Sequence, residues 1–215
     1  MDSPSQHHPL KLGVLISGRG SNLIAIANNI RAGTLPGVEI AIVISNTASA
    51  CGLAVTRELG LPGEVFVSKG RPRAEHDADV AACLRRHNVD LVVLAGYMRL
   101  LSPEFIQAFS NRIVNIHPSL LPAFPGLDAQ HQAFDYGVKV AGCTVHFVDE
   151  HLDHGPIILQ RAIPVLDTDD AESLSARILK EEHIAYSEAL ARIAGRQYEL
   201  RGRRYVLRQS LIPLN

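Results

Sequence analysis

The sequence predicts an α/β protein with a Rossmann-like fold: a mostly parallel, twisted sheet with helices on both faces and an antiparallel C-terminal part. Two observations favour this class. Between residues 11 and 117, short apolar runs alternate with segments of helical spacing, as expected when parallel strands are buried on both faces. After Gly142, two strand-like runs follow each other with only a short loop between them, which indicates an antiparallel pair.

The parallel part is predicted from apolar runs and from the helical patterns between them. Strands are expected at 11–17, 38–45, 64–67, 90–95 and 112–116, and helices at 21–32, 50–59 and 73–87. A further helix is expected to start at Ser102-Pro103-Glu104, because serine caps helices, proline fits their first position and an acid suits the first turn. Ligands of such sheets bind beyond the carboxyl ends of the strands, so the site is expected at that edge.

The C-terminal part is predicted to pair strands 143–148 and 157–165 and to end in a long helix over 170–194, followed by short strands at 197–201 and 204–207. No internal repeat or long linker divides the sequence. We therefore expect a flexible N-terminal tail at 1–10 and a single domain at 11–215.

The composition narrows the class of protein. The 215 residues carry a formal charge of −1, from 21 Lys and Arg against 22 Asp and Glu, so no basic surface for nucleic acid is expected. No apolar run approaches the ~18 residues of a membrane span, and the first ten residues lack the pattern of a signal peptide. The three cysteines, without CxxC spacing, fit a reducing cytoplasm, and either a monomer or a homodimer is expected.

A glycine-rich turn, Ser17 to Asn22 (SGRGSN), follows the first predicted strand. Glycines allow the backbone to approach an anion, and the start of the next helix offers unpaired N–H groups. The spacing is neither GxGxxG nor GxxxxGK[ST], which disfavours a dinucleotide site and a P-loop. Two interpretations stay open: a phosphate cradle, or a tight turn with a capping serine.

Asn115 and His117 lie where another predicted strand ends. Side chains alternate along a strand, so this amide and this imidazole project from the same face and are expected to converge on one atom. The alternative is a structural histidine with no chemical role.

The stretch from His146 to Pro156 holds histidines and aspartates at close spacing. These are possible metal ligands, but neither HExxH nor a recognised spacing of two histidines and one carboxylate is present, so no metal is expected. The stretch is either a solvated turn or the source of a carboxylate that orients and charges His117.

Together these segments resemble the phosphoribosylglycinamide formyltransferase family, the folate-dependent enzymes of purine synthesis. The motifs that carry the resemblance are VLISGRGSNL (14–23), VVLAGYMRLLSP (92–103), NIHPSLLPAFPG (115–126), GCTVHFVDEHLDHGPIILQ (142–160) and RILKEEH (177–183). They occur in order over residues 11 to 200. Asn-x-His with SLLP belongs to the wider formyl-folate superfamily, whereas Gly-Ser-Asn-Leu after the first strand is typical of the glycinamide ribonucleotide branch.

The resemblance implies the formyltransferase version of the Rossmann-like fold and a reaction. The formyl group of 10-formyltetrahydrofolate, the cosubstrate, would pass to the amine of N1-(5-phospho-D-ribosyl)glycinamide, on the route to IMP, by direct attack and through a tetrahedral intermediate. No metal and no redox cofactor would take part. The alternatives are a formyltetrahydrofolate hydrolase with water as acceptor, a folate- or nucleotide-binding sensor, and, less well supported, a Rossmann dehydrogenase.

The resemblance also implies site residues. The catalytic trio would be Asn115, His117 and Asp153. The nucleotide would be held by Gly20, Ser21, Asn22 and Glu182, and the folate by Arg73, Met98, Arg99, Leu100, Leu101 and Asn115.

Three places depart from the family pattern: Arg19, the run from Asp128 to Gln130, and His154, which follows the expected catalytic acid. His154 is expected to crowd the site or to alter its charge.

Overall fold

A computed structural model describes residues 8–208. Within this range the strands form one nine-stranded sheet. In chain order they are β1 (Leu10–Ile16), β2 (Val38–Ser45), β3 (Gly63–Val65), β4 (Leu91–Leu94), β5 (Ile113–His117), β6 (Val140–Phe147), β7 (Ile157–Pro164), β8 (Tyr198–Arg201) and β9 (Arg204–Leu207).

Six helices pack on this sheet in the part of the chain that the structure describes. They are α1 (Ser21–Arg31), α2 (Gly52–Glu58), α3 (Arg73–Arg86), α4 (Pro103–Ala108), α5 (Ala129–Tyr136) and α6 (Ala171–Ala194). Between residues 8 and 208, none of them is both long and apolar enough to cross a lipid bilayer.

The strand order is β3-β2-β1-β4-β5-β6-β7-β9-β8. Strands β1 to β5 pair in parallel, whereas β6 runs antiparallel to β5 and β7 antiparallel to β6. The predicted fold class is therefore confirmed. The order reverses between β1 and β4, and such a reversal opens a crevice at the carboxyl edge of the sheet.

Alternation along the central strands builds a core on each face of the sheet. On β1, Val14 packs on the face covered by α1 and α6, and the next residue, Leu15, packs on the face covered by α3 and α4. Both side chains are fully buried. Burying one such side chain contributes about 1.5–3 kcal/mol, so the apolar runs that predicted the strands also supply the energy that holds the helices against them.

Helix α6 is fixed at its start and in its middle. Asp170 and Ser173 form a reciprocal capping box: the Ser173 N–H donates to the Asp170 carboxylate at 2.7 Å and the Asp170 N–H to the Ser173 hydroxyl at 2.9 Å. Further along, the buried Tyr186 hydroxyl lies 3.0 Å from the carbonyl oxygen of Leu94 and 3.1 Å from that of Val114. The phenol thus joins α6 to the last residue of β4 and to the second residue of β5.

Several predicted boundaries need correction. Leu10, assigned to the tail, already belongs to β1, and His117 is the last residue of β5 rather than the first beyond it. Strand β6 begins at Val140, three residues before its predicted start. The sequence does not predict α5, because its residues, AQHQAFDY, include few apolar positions. Residues 1–7 and 209–215 lie outside the described range, so the flexible tail and the single domain to residue 215 stay predictions.

Candidate active site

The predicted site residues occupy the carboxyl edge of the sheet. The glycine-rich turn follows β1, the Met98 segment follows β4, and Asn115 and His117 lie at the end of β5. β1 and β5 are two positions apart in the sheet, and neighbouring strands lie about 4.8 Å apart, so these two strands are separated by about 10 Å. The site therefore spans the crevice at the reversal of strand order.

The turn after β1 leaves the start of α1 without a side-chain cap. Gly20 is the N-cap residue, with φ of 77°, and Ser21 is the first helical residue, so the expected capping serine is not observed. A Cβ on Gly20 would lie 3.1 Å from the Cα of Gly52, besides the strain of a left-handed backbone. The uncapped N–H groups and the positive end of the helix dipole are suited to an anion such as a phosphate.

Asn22 and Glu182 meet in the interior beside this turn, although 160 residues separate them. The Asn22 amide donates to the Glu182 carboxylate at 3.0 Å, and both residues are about 6% exposed. Burial raises the pKa of Glu182, and the Asn22 hydrogen bond offsets this only in part. The side-chain amide oxygen of Asn22, Oδ1, has no hydrogen-bond partner among residues 8–208. A buried acceptor and a carboxylate with spare lone pairs suit the hydroxyl groups of a ligand.

His117 and Asp153 come together from β5 and from the loop between β6 and β7. The His117 Nδ1 atom lies 3.3 Å from the Asp153 carboxylate, and both side chains are at least nine-tenths buried. Nε2 of His117 donates to the carbonyl oxygen of Phe124 at 2.8 Å, and the Gly126 N–H donates to Asp153 at 2.8 Å. Each ring nitrogen of His117 therefore faces an oxygen atom of the protein.

Asn115 contacts a residue that sequence analysis did not assign to the site, His146. Strand pairing sets the two opposite each other on β5 and β6, and the Asn115 amide nitrogen lies 3.3 Å from His146 Nε2. Burial lowers the pKa of His146, so its ring is neutral, and Nδ1 donates to the Phe147 carbonyl at 2.8 Å. Nε2 therefore accepts a hydrogen bond from Asn115, which fixes the orientation of the amide and leaves its other N–H without a partner among residues 8–208.

The loop after β4 presents apolar side chains to the surface. Met98 and Leu100 are 71% and 55% exposed, whereas Leu101 is buried in the core. Arg99 is half-buried and donates to the carbonyl of Arg71. Apolar side chains this exposed are suited to covering a flat ligand, and Leu101 would reach one only through its main chain.

Arg73, the remaining predicted folate residue, is exposed in the first turn of α3. One turn later, Asp77 is buried and accepts hydrogen bonds from His76 Nδ1 at 3.0 Å and from the Ser102 N–H at 2.6 Å. His76 Nε2 donates to the Phe66 carbonyl at 2.8 Å. This buried pair joins α3 to the end of the loop after β4, and no sequence pattern had indicated it.

Of the three departures from the family pattern, Arg19, Asp128 and His154 lie on the surface, whereas Ala129, within the run from Asp128 to Gln130, is buried. Arg19 is exposed, Asp128 contacts His131 at 2.5 Å at the start of α5, and His154 contacts Asp149 at 2.9 Å. His154 does not crowd Asp153 through a polar contact, since its partners among residues 8–208 are Asp149 and Arg203.

Comparison with known proteins agrees with this geometry. Residues 10–190 match the sequence family described as formyl transferase. The glycinamide ribonucleotide transformylase 1 of Symbiobacterium toebii superposes with a TM-score of 0.91 at 50% identity, over 96% of this chain and 98% of that one. The phosphoribosylglycinamide formyltransferase of Haemophilus influenzae is 42% identical over 177 residues, which cover 82% of this chain and 83% of that protein.

A longer relative matches as well. The trifunctional purine biosynthetic protein adenosine-3 of Drosophila pseudoobscura pseudoobscura is 46% identical over 187 residues, or 86% of this chain. The chain spans 14% of the length of that protein. The resemblance inferred from the motifs is thus confirmed: the chain belongs to the formyl transferase family and, within it, to the phosphoribosylglycinamide formyltransferases.

Proposed function

We propose that this chain transfers the formyl group of 10-formyltetrahydrofolate to the amine of N1-(5-phospho-D-ribosyl)glycinamide. The observation that supports the proposal is a series of contacts at the carboxyl edge of the sheet, from Asn115 to His146, from His146 to Asp153 at 3.8 Å, and from Asp153 to His117. The same edge carries a turn suited to phosphate. The H. influenzae and S. toebii relatives bear the names of this activity. A monomer or a homodimer stays the expected state of assembly, and the three free thiols fit the cytoplasm.

The nucleotide would bind across the ends of β1 and α6. Gly20, Ser21 and Asn22 would hold its phosphate through the uncapped start of α1. Glu182 would accept hydrogen bonds from the ribose hydroxyls, with Asn22 holding the carboxylate in place. Hydrogen bonds to a charged group contribute about 1.5–3 kcal/mol each, so these residues would govern affinity for the nucleotide.

The folate would bind beyond β4 and β5. Met98 and Leu100 would cover its ring, Arg99 and Leu101 would contribute main-chain atoms, and Arg73 would face its acidic tail. The formyl group would then lie at Asn115, where the chemistry takes place.

The reaction joins the nucleotide amine to the formyl carbon and breaks the bond from that carbon to N10 of the folate. Asn115 donates its unused N–H to the oxygen of the tetrahedral intermediate, and one such donor typically lowers the barrier by about 3–4 kcal/mol. His117 shares its Nδ1 proton with Asp153 and delivers it to the departing N10, while the amine releases a proton to Asp153 or to water. Protons and charge therefore balance without a metal or a redox cofactor.

His146 acts through Asn115 and not on the substrate. Its neutral ring accepts one amide hydrogen and thereby aims the other at the reaction centre. Preorganised donors of this kind lower a barrier because they need no reorientation during the reaction.

The experiment that tests the proposal is an assay of the purified chain with 10-formyltetrahydrofolate, with and without N1-(5-phospho-D-ribosyl)glycinamide. We expect tetrahydrofolate to form only when the nucleotide is present. Formate release that does not depend on the nucleotide would instead identify a hydrolase, and binding without turnover would identify a sensor.

Asn22→Ala sharpens this assay because Asn22 belongs to the proposed nucleotide site alone. The variant should raise the KM for the nucleotide about tenfold or more, since it loses hydrogen bonds at the phosphate and at Glu182, and leave the KM for the folate unchanged. Equal changes in both values would place Asn22 outside the nucleotide site.

A further inference from the structure

The loop that carries Asp153 also brings together three possible metal ligands. Oxygen and nitrogen atoms of Asp149, His151 and His154 all lie within 4.8 Å of one another. His154 Nδ1 is 2.9 Å and His151 Nδ1 4.0 Å from the Asp149 carboxylate. The sequence alone predicts no metal site here, because the spacing fits no recognised motif. The fold of the loop nevertheless brings these three donors together.

The cluster forms one wall of a cleft between this loop and α4. The acidic side chains of Glu104 and Glu150 line the same cleft, and no lysine or arginine is among its described lining residues. The two imidazoles are accessible, with side chains 76% and 53% exposed at His151 and His154. A cation held by the three ligands would keep open coordination positions toward this acidic cleft.

We propose that Asp149, His151 and His154 bind a divalent transition-metal ion of the zinc class. Donor atoms around a tetrahedral zinc are about 3.3–3.6 Å apart, given bonds of roughly 2.0–2.2 Å, so the observed 2.9 and 4.0 Å require only small side-chain rotations. Two imidazoles and one carboxylate are the donor types that zinc, nickel and copper accept, whereas calcium and magnesium prefer oxygen ligands alone.

One cation competes for this site. The Arg203 guanidinium lies 3.2 Å from both ring nitrogens of His154 and also contacts its carbonyl oxygen. Arg203 is exposed, in the turn between β8 and β9, so its side chain has room to move aside. Its charge opposes a metal ion, and removing that charge is therefore expected to tighten metal binding.

A second group of possible ligands, Glu64, Cys83 and His87, is less suited to a metal. Burial, followed by the nearby Glu64 carboxylate, raises the pKa of the Cys83 thiol to about 11, so the thiolate that a metal requires is scarce. Glu64 is also paired with Arg86 at 2.7 Å. Cys83→Ser removes the thiol of this second group and supplies a background in which the loop is tested without it.

Binding at the loop has a structural consequence. Asp153 lies between His151 and His154, so a bound ion restrains the backbone on both sides of the carboxylate that faces His117. The metal therefore stabilises the folded chain by mass action. This inference does not rest on the proposed function, because binding and stabilisation are measured without substrates.

The test is calorimetric titration of zinc chloride into the metal-free Cys83→Ser chain at neutral pH, with a thermal melt at each metal concentration. We expect one equivalent of zinc to bind and to raise the melting temperature. Loss of one ligand in His151→Ala or His154→Ala should weaken binding by about 10–100-fold or more. Arg203→Met should tighten it.

The matched control is His131→Ala, which removes another exposed histidine paired with an aspartate and should leave zinc affinity unchanged. Melts of the metal-free variants establish that each is folded, and surface changes of this kind alter stability by only about 0.5 kcal/mol. The proposal is overturned if Cys83→Ser binds no zinc, or if His151→Ala and His154→Ala bind it as tightly as their parent.

Discussion

Two buried histidine–aspartate pairs, His76–Asp77 on α3 and His117–Asp153 at the end of β5, are built from the same kinds of contact. In each pair, one imidazole nitrogen faces the carboxylate, at 3.0 and 3.3 Å, and the other donates to a main-chain carbonyl at 2.8 Å. Each carboxylate also accepts a main-chain N–H, at 2.6 and 2.8 Å. Neither burial nor pairing distinguishes the two regions.

The two regions differ in whether they contain hydrogen-bonding groups without a protein partner among the described residues. In the α3 pair, both ring nitrogens and both carboxylate oxygens have protein partners, and the side chains are 0% and 2% exposed. In the β5 pair, the histidine and carboxylate stand further apart, and Asn115 beside them keeps an unused N–H. The saturated α3 pair holds the chain together, whereas the β5 pair lies in a region where Asn115 offers a spare donor to a substrate.

The largest expected effect is on the free energy of unfolding, which should fall when the α3 pair is broken. Asp77→Ala leaves the buried His76 ring without its partner, and breaking a buried pair typically costs about 3–5 kcal/mol. In a chain of this length that corresponds to a fall in melting temperature of roughly 10 °C, which thermal unfolding measures. The KM for the folate should also rise, because the Ser102 end of the loop loses its anchor. A stable variant with lost kcat would instead place this pair in the chemistry.

The next largest effect is on kcat, which should fall when Asn115 or His117 at the end of β5 is changed. Asn115→Ala and His117→Ala should each lower kcat by about 10²–10³-fold, because each removes a donor to the transition state. The KM for the nucleotide and the melting temperature should change much less than kcat. Steady-state kinetics beside thermal melts measure both, and turnover near that of the parent in either variant would contradict the assignment.

The smallest of the three effects concerns Glu182. Unlike the two aspartates, this buried carboxylate is paired with an amide and not with a histidine. Glu182→Gln should raise the KM for the nucleotide by about 10–100-fold, from the loss of charge-assisted hydrogen bonds. The same change should stabilise the free protein at neutral pH. Because burial raises the pKa of Glu182 above its usual 4.5, the folded chain favours the protonated carboxyl, and stability is lost as pH rises through the raised value.

Thermal melts across pH test the second half of this prediction. Parent and variant should agree below about pH 4.5, where the carboxyl is protonated in both folded and unfolded chains, and diverge as pH approaches neutrality. A parent that is the more stable one at neutral pH would show that Glu182 is retained for folding and not for a ligand.

Sequence patterns predicted what depends on local periodicity. The strands of the parallel region follow from apolar runs, and the shared face of Asn115 and His117 follows from alternation along β5. The partnership of Asn115 with His146 could not be predicted, because it requires β6 to lie next to β5 in one particular register. The α3 pair could not be predicted for a similar reason. Its hydrogen-bond partners are the Phe66 carbonyl and the Ser102 N–H, which are main-chain groups of segments distant in the sequence.

The phenol of Tyr186 has a consequence for a residue one helical turn before it. Glu182 and Tyr186 are four positions apart on α6, so they project from the same side of the helix. Turning the helix about its axis to swing Glu182 away from Asn22 would withdraw the hydroxyl from the carbonyls of Leu94 and Val114. The orientation of the Glu182 carboxylate is thereby tied to β4 and β5, and β5 carries the proposed catalytic residues Asn115 and His117.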